Sequence, residues 1–168
     1  YSLPAGCFTA GIPAGLKQQL LWAELPRTNF NEFAFFQTLT QLKHAGVQGV
    51  VVQNIAQIKP ALTAGFKIFG GFGLNIFNSC TAQHLLNAGL CGGVLSPELS
   101  LAQLPQVCAA PPQFKLYSFG YGYFPLMLLR NCPVKAHKGC QKHLACSITD
   151  RKGERFTLRC SGESIQLY

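Results

Sequence analysis

An α/β fold around a parallel sheet is what this sequence predicts, and three observations predict it. Short apolar runs alternate with helix-patterned stretches through the first 120 residues, at about 20–30 residues per unit. Several helical stretches close on a glycine, the residue that tolerates the left-handed turn after a helix. The pattern stops at Gly120, after which turns, lysines and cysteines dominate.

The elements follow in order. Leu20 to Ala23 reads as a strand ending at Glu24-Leu25-Pro26-Arg27. Asn31 is placed to cap a helix through Phe33, Phe36, Leu39, Leu42 and Lys43, whose apolar residues recur at three- and four-residue spacing; Ala45-Gly46 ends it. Val47 to Val52 is β-branched with little alternation, the mark of a strand buried on both faces. Ile55 to Ala64 predicts a helix ended by Gly65, and Phe66 to Phe69 and Leu74 to Phe77 are further apolar runs. Thr81 is placed to cap a helix from Ala82 to Ala88, closed by Gly89. Gly93 to Ser96 predicts a strand, Leu99 to Val107 a short helix, and Phe114 to Phe119 another strand.

That is about four βα units. A closed (β/α)₈ barrel takes about 250 residues, so residues 1–120 are expected to form half of a TIM-barrel-like structure, with a small doubly wound sheet as the alternative. Residues 121–168 are expected to be a Cys-rich basic extension ending in a β-hairpin: Ser147-Ile148-Thr149, a turn at Asp150-Arg151-Lys152-Gly153, then Arg155 to Arg159. Such a short piece needs a staple or a neighbour.

Composition excludes several classes. The chain has 168 residues, 48% hydrophobic and 12% charged, which removes intrinsic disorder. No apolar run approaches the ~18 residues of a membrane-spanning helix, and a cytoplasmic location is expected. The chain begins at Tyr1 and its one methionine is Met127, so it is expected to be part of a longer or processed chain. Half a barrel leaves apolar surface uncovered. Its expected partner is therefore its own N-terminal half or a second copy.

Charge and cysteine are both uneven. Residues 1–110 hold five basic and three acidic side chains; residues 111–168 hold nine and three, so +6 of the total +8 sits in the last third. Such a region suits RNA, an acidic surface or a phosphorylated ligand, or is simply a solvated face. Four of the eight cysteines fall there, spaced Cys132-x7-Cys140-x5-Cys146-x13-Cys160. Four thiolates suit zinc or an iron–sulfur cluster, because soft sulfur ligands select those metals. Disulfides and free thiols are the alternatives, and His137 or His143 could replace one cysteine. Arg130, Lys135, Lys138, Lys142 and Arg159 lie close in sequence, and their field is expected to favour thiolates. Arg130 is also a candidate substrate contact.

Several segments resemble the collagenase-like peptidase family. They are Tyr121-Gly122-Tyr123-Phe124-Pro125-Leu126-Met127, Arg130-Asn131-Cys132-Pro133 and Asp150-Arg151-Lys152-Gly153, with Glu24-Leu25-Pro26-Arg27, Leu74 to Ser79 and Leu95 to Leu99 upstream. The resemblance runs over residues 20–160 in the same order. It implies a TIM-barrel-like catalytic domain of which this chain is the C-terminal half. It implies either a hydrolase cutting peptide bonds or an RNA-modification enzyme. In the second branch, members hydroxylate RNA or a ubiquinone precursor without oxygen, using cysteine-bound iron–sulfur chemistry. Where many members carry a cysteine before the apolar pair, this chain carries Pro125; Cys132 fits the next family cysteine.

Chemistry in a parallel barrel sits at the C-terminal strand ends. Those ends are expected to carry Glu24, Arg27, Asn54, Asn75, Asn78, Glu98 and Tyr121. Glu24 and Glu98 are the candidate catalytic carboxylates, for general acid–base work or activating a water. Arg27, Asn54, Asn75, Asn78 and Tyr121 are the candidate substrate contacts. For Glu24 and Glu98 the plainer role is capping a neighbouring helix or pairing with Arg27; for Asn75 and Asn78 it is turn formation.

Overall fold

The computed structural model describes residues 2–8, 21–109, 111–139, 146–160 and 164–168. The chain divides into two compact units, Tyr1–Phe119 and Gly120–Tyr168.

The first unit is built on six parallel strands: β1 (Ser2–Pro4), β2 (Trp22–Glu24), β3 (Gly49–Val52), β4 (Lys67–Gly70), β5 (Leu90–Val94) and β6 (Lys115–Tyr117). They lie side by side in chain order, each paired with the strand before it. The order never doubles back, whereas a doubly wound sheet reverses its strand order at a switch point. Among the described residues the sheet is open, with β1 and β6 at its edges. The four expected strand–helix units begin at β2, β3, β4 and β5, and β1 is the strand that was not expected. Ser2-Leu3-Pro4 is too short to show a period, and Leu74 to Phe77 is no strand: only Ile76 makes a bridge, to Leu95.

Among the described residues, four α-helices connect these strands: α1 (Glu32–His44), α2 (Ile58–Thr63), α3 (Ser79–Asn87) and α4 (Leu104–Val107). The Asn31 side chain caps α1 by accepting from the Ala34 amide at 3.1 Å. The α3 helix starts earlier than expected. Asn78, not Thr81, is its cap, accepting from the Thr81 amide at 2.8 Å. Helix α4 is one turn, not the longer helix expected from Leu99, because Pro105 has no amide to extend it backwards.

One turn recurs after each of the first three helices. Ala45-Gly46, Ala64-Gly65 and Ala88-Gly89 end them, with the glycines at φ +81°, +74° and +93°. Each glycine amide donates back into the last helical turn, and the amides of Val47 and Phe66 donate to the same helices before the following strands begin. A side chain at these three positions would meet the left-handed penalty.

Right-handed crossovers in a sheet ordered this way place every helix on one face. The core agrees. Ala23, Val50, Ile68 and Leu90 from the strands join Phe35, Leu39 and Leu42 of α1, Ile58 and Ala61 of α2, and Ala82 and Leu85 of α3. Burying each large side chain of this set contributes about 1.5–3 kcal/mol over leaving it exposed.

The second unit is a four-stranded antiparallel sheet, more than the expected hairpin. Its strands are β7 (Met127–Leu129), β8 (Cys146–Thr149), β9 (Arg155–Cys160) and β10 (Ile165–Leu167), in the order β7-β10-β9-β8. The hairpin of β8 and β9 turns at Asp150, whose side chain accepts from the amides of Lys152 and Glu154, with Gly153 at φ +90°. Along β9 the sequence Arg155-Phe156-Thr157-Leu158-Arg159-Cys160 alternates, so one face of this sheet is apolar and the other basic. The apolar face centres on buried Leu158, Ile165 and Leu167, with Leu129, Ile148, Phe156 and Val134 packed against them. Val134 belongs to α5 (Pro133–Lys138), the helix that follows β7.

Candidate functional site

In the first unit a polar cluster forms where β2, β3 and β4 end. Glu24 is the last residue of β2, and Gln53 follows β3. Gln53 is buried, and its amide nitrogen donates to a Glu24 carboxylate oxygen at 2.6 Å. The Gln53 side-chain oxygen accepts from the Gly73 amide at 3.0 Å. One glutamine side chain therefore ties the end of β2 to the loop after β4.

Buried Gln57 completes the cluster. Its oxygen accepts from the backbone amides of Gln53 and Asn54 at 2.8 and 3.2 Å, and its nitrogen donates to the Pro26 carbonyl at 2.7 Å. Two glycines admit this packing. A Cβ on Gly71 would lie 2.4 Å from the Gln53 amide group, and one on Gly73 would lie 2.2 Å from the Gln53 carbonyl oxygen. The Gly70-Gly71-Phe72-Gly73 stretch is thus a close backbone approach around Gln53.

The expected site residues separate into groups. Glu24 is in the cluster, half-buried and held. Arg27 is exposed beside it, its guanidinium carbon 5.4 Å from the centre of the Phe72 ring. Asn54 caps the turn Ile55–Gln57 and shares a capping box with Gln57. Asn75 takes the left-handed conformation, φ 50°, that ends the Phe72–Leu74 turn, and Asn78 caps α3. These three asparagines have structural work to do.

Glu98 stands apart. It lies in the turn after β5, its amide donating to the Ser96 hydroxyl at 3.3 Å. Three strand spacings separate β2 from β5, about 14 Å at ~4.8 Å per strand. Paired glycosidase carboxylates, by comparison, stand within about 5–9.5 Å. Tyr121 and Arg130 belong to the second unit, and Tyr121 is fully exposed.

Sequence reasoning passed over Gln53 and Gln57. The available signal was a glutamine directly after the β-branched run Val50-Val51-Val52, where a parallel strand presents its C-terminal end.

In the second unit the register gathers cysteines. Cys146 pairs with Leu158, and Cys160 pairs with Ile165. Directly paired residues share a face, so Cys146 and Cys160 lie on the apolar face as diagonal neighbours, about 7–8 Å apart. Cys132 follows β7, which pairs with β10 at Leu129 and Ile165. It packs against the same apolar cluster as Cys146. All three thus come to one end of one sheet. Cys132 also caps α5, its sulfur accepting from the Lys135 amide at 3.4 Å.

Cys140, His143 and Lys142 lie outside the described residues, and so do the side chains of His137 and Lys138. Among the described residues, no three His, Cys, Asp or Glu side chains are grouped closely enough to hold a metal ion. Arg159 does not join the thiols as expected. Strand alternation sends it to the opposite face, where its guanidinium carbon lies 5.1 Å from the centre of the Tyr168 ring. No helix among the described residues is long and apolar enough to cross a membrane.

Comparison with protein-family models, with curated proteins and with solved structures finds no match to this chain.

Proposed function

We propose that this chain carries the C-terminal part of a TIM-barrel-like enzyme for iron–sulfur-dependent, oxygen-independent hydroxylation of RNA or a related substrate. The observation that carries the proposal is the register of the second sheet. It brings Cys132, Cys146 and Cys160 to one end; Cys140, between them in sequence, lies outside the described residues. Soft thiolate sulfurs beside an apolar floor are of the kind that an iron–sulfur cluster takes, and the potential of such a cluster depends on burial and on hydrogen bonds to sulfur. A bound cluster supplies one-electron redox chemistry.

The chain's own residues do the rest. The Lys135 amide donates to the Cys132 sulfur and orients it. Arg155 and Arg159, on the other face of the sheet, are placed to meet phosphates. Glu24, held by Gln53, is the carboxylate placed to accept a proton at a strand end. The sequential strand order supports the barrel-like origin, and its open edges suit completion by an N-terminal half or a second copy.

A second reading has its own support. Among the described residues of 120–168, three buried side chains centre a small core, and a structural zinc would staple it. Protein purified without oxygen separates the two. The first reading expects iron with labile sulfide, lost together in Cys132→Ala, Cys146→Ala and Cys160→Ala variants. Zinc without sulfide favours the staple, and metal-free protein that cleaves peptides would replace both with the peptidase activity.

A further inference from the structure

Helix α1 turns two aromatic side chains away from the core. Its buried residues are Phe35, Leu39 and Leu42, while Phe33 and Phe36 are 71% and 45% exposed. A surface helix ordinarily gives its outward face to polar side chains. Thr40 and His44 continue the line of Phe33 and Phe36 at four-residue spacing, so one outward stripe runs the length of the helix.

The neighbouring helix is too short to cover that stripe. Helix α1 has 13 residues and α2 has 6, and both finish on the same Ala-Gly turn. A groove of about 640 Å³ lies between them, within the size of small-molecule sites, roughly 300–1,000 Å³. Buried Leu39 forms its floor, with Phe36 on the α1 side and Pro60 on the α2 side.

Charge at this groove has one sign. Among the described residues, Lys43, His44 and Lys59 line it and no carboxylate does. Lysine stems are apolar, so both lysines extend the lining while their ammonium groups stay at the rim. Lys43 is fixed there. Its Nζ donates to the Gly65 carbonyl at 2.8 Å and stands 4.8 Å from the centre of the Phe66 ring. Lys59, on the opposite wall, is exposed. Such a lining suits a mainly apolar body with one negative head. A neutral hydrocarbon would leave the cations unused, and a polyanion would set charge against the apolar floor.

We propose that the groove between α1 and α2 binds a free fatty-acid anion, its alkyl chain along Phe36, Leu39 and Pro60 and its carboxylate at the rim beside Lys59. The site belongs wholly to the first unit and lies on the helix side of the sheet. It is independent of the cysteines and of the sheet edges that an N-terminal half or a second copy would complete.

The test is calorimetric titration of the full chain with laurate, kept below the concentration at which it forms micelles. One saturable site is expected. Caprate, two methylenes shorter, should bind at least about fourfold more weakly, the value of one fully buried methylene. Lys59→Glu should weaken laurate binding about fivefold, the upper end for an exposed ion pair, while Lys59→Arg retains it. Thr40→Trp, on the outward stripe, should fill the groove and abolish the saturable site. Bound metal should be the same in every variant. Absence of saturable binding overturns the proposal, and so does binding that Lys59→Glu and Thr40→Trp both leave unchanged. A dimer seen by light scattering and dispersed by Thr40→Trp also overturns it, because a second copy would then occupy the groove.

Discussion

Gln53 sits where three backbone segments meet, and its loss should be felt more than its surface neighbours'. Gln53→Leu keeps the volume but leaves the half-buried Glu24 carboxylate and the Gly73 amide without their partner. An unsatisfied buried polar group costs about 1–3 kcal/mol, and denaturant unfolding should show a loss of that size. Cys91 gives a second residue-scale test. Burial pushes its thiol above the ordinary value, against the pull of its backbone hydrogen bonding and of Lys115 and Lys67. The fold thus favours the neutral thiol. Below the ordinary thiol range, near pH 8.5, that preference is fully present as stability; it is lost as pH rises toward the folded value. Iodoacetamide labelling of Cys91 should therefore reach half-maximal rate at a higher pH in native protein than in urea, and an equal or lower pH would refute this.

Among elements, α3 depends on a cap that its sequence half concealed. Asn78 accepts from both the amide and the hydroxyl of Thr81, so the residue read as the cap lies inside the helix and the cap stands three residues before it. Asn78→Ala should cost about 1 kcal/mol, measurable by thermal unfolding, while Asn87→Ala at the other end should not match it. The elements with a period were legible: the Asn31-capped helix, the Val50–Val52 strand, the Ala-Gly endings and the Asp150–Gly153 hairpin turn. Three-residue strands such as β1, β7 and β10 have no period to read, and only their pairing defines them. The same limit hid the sites. Glu24 was visible as a carboxylate at a strand end, but its partner Gln53 depends on the loop after β4. The cysteine count was visible, but the shared face of Cys146 and Cys160 follows from strand register.

For the whole molecule, two units with separate cores imply two separable stabilities. The first core draws on strands and helices throughout residues 2–119; the second rests on Leu158, Ile165 and Leu167 and their half-buried neighbours. If the cysteines hold a metal, chelation should destabilise the second unit and spare the first. Hydrogen exchange would then show protection lost in β7–β10 and kept in β2–β5. Equal loss in both units would mean that the metal is not a staple for the smaller one.

The strand order also sets a timetable for synthesis. In the first sheet every strand pairs with its predecessor, so each can dock soon after it leaves the ribosome. In the second, β7 waits for β10: Leu129 pairs with Ile165, 36 residues later (165 − 129). Non-local pairing of this kind closes late. The half-buried Cys132 and Cys146 therefore stay uncovered until the final strand arrives, and during that interval they are open to oxidation or to loading.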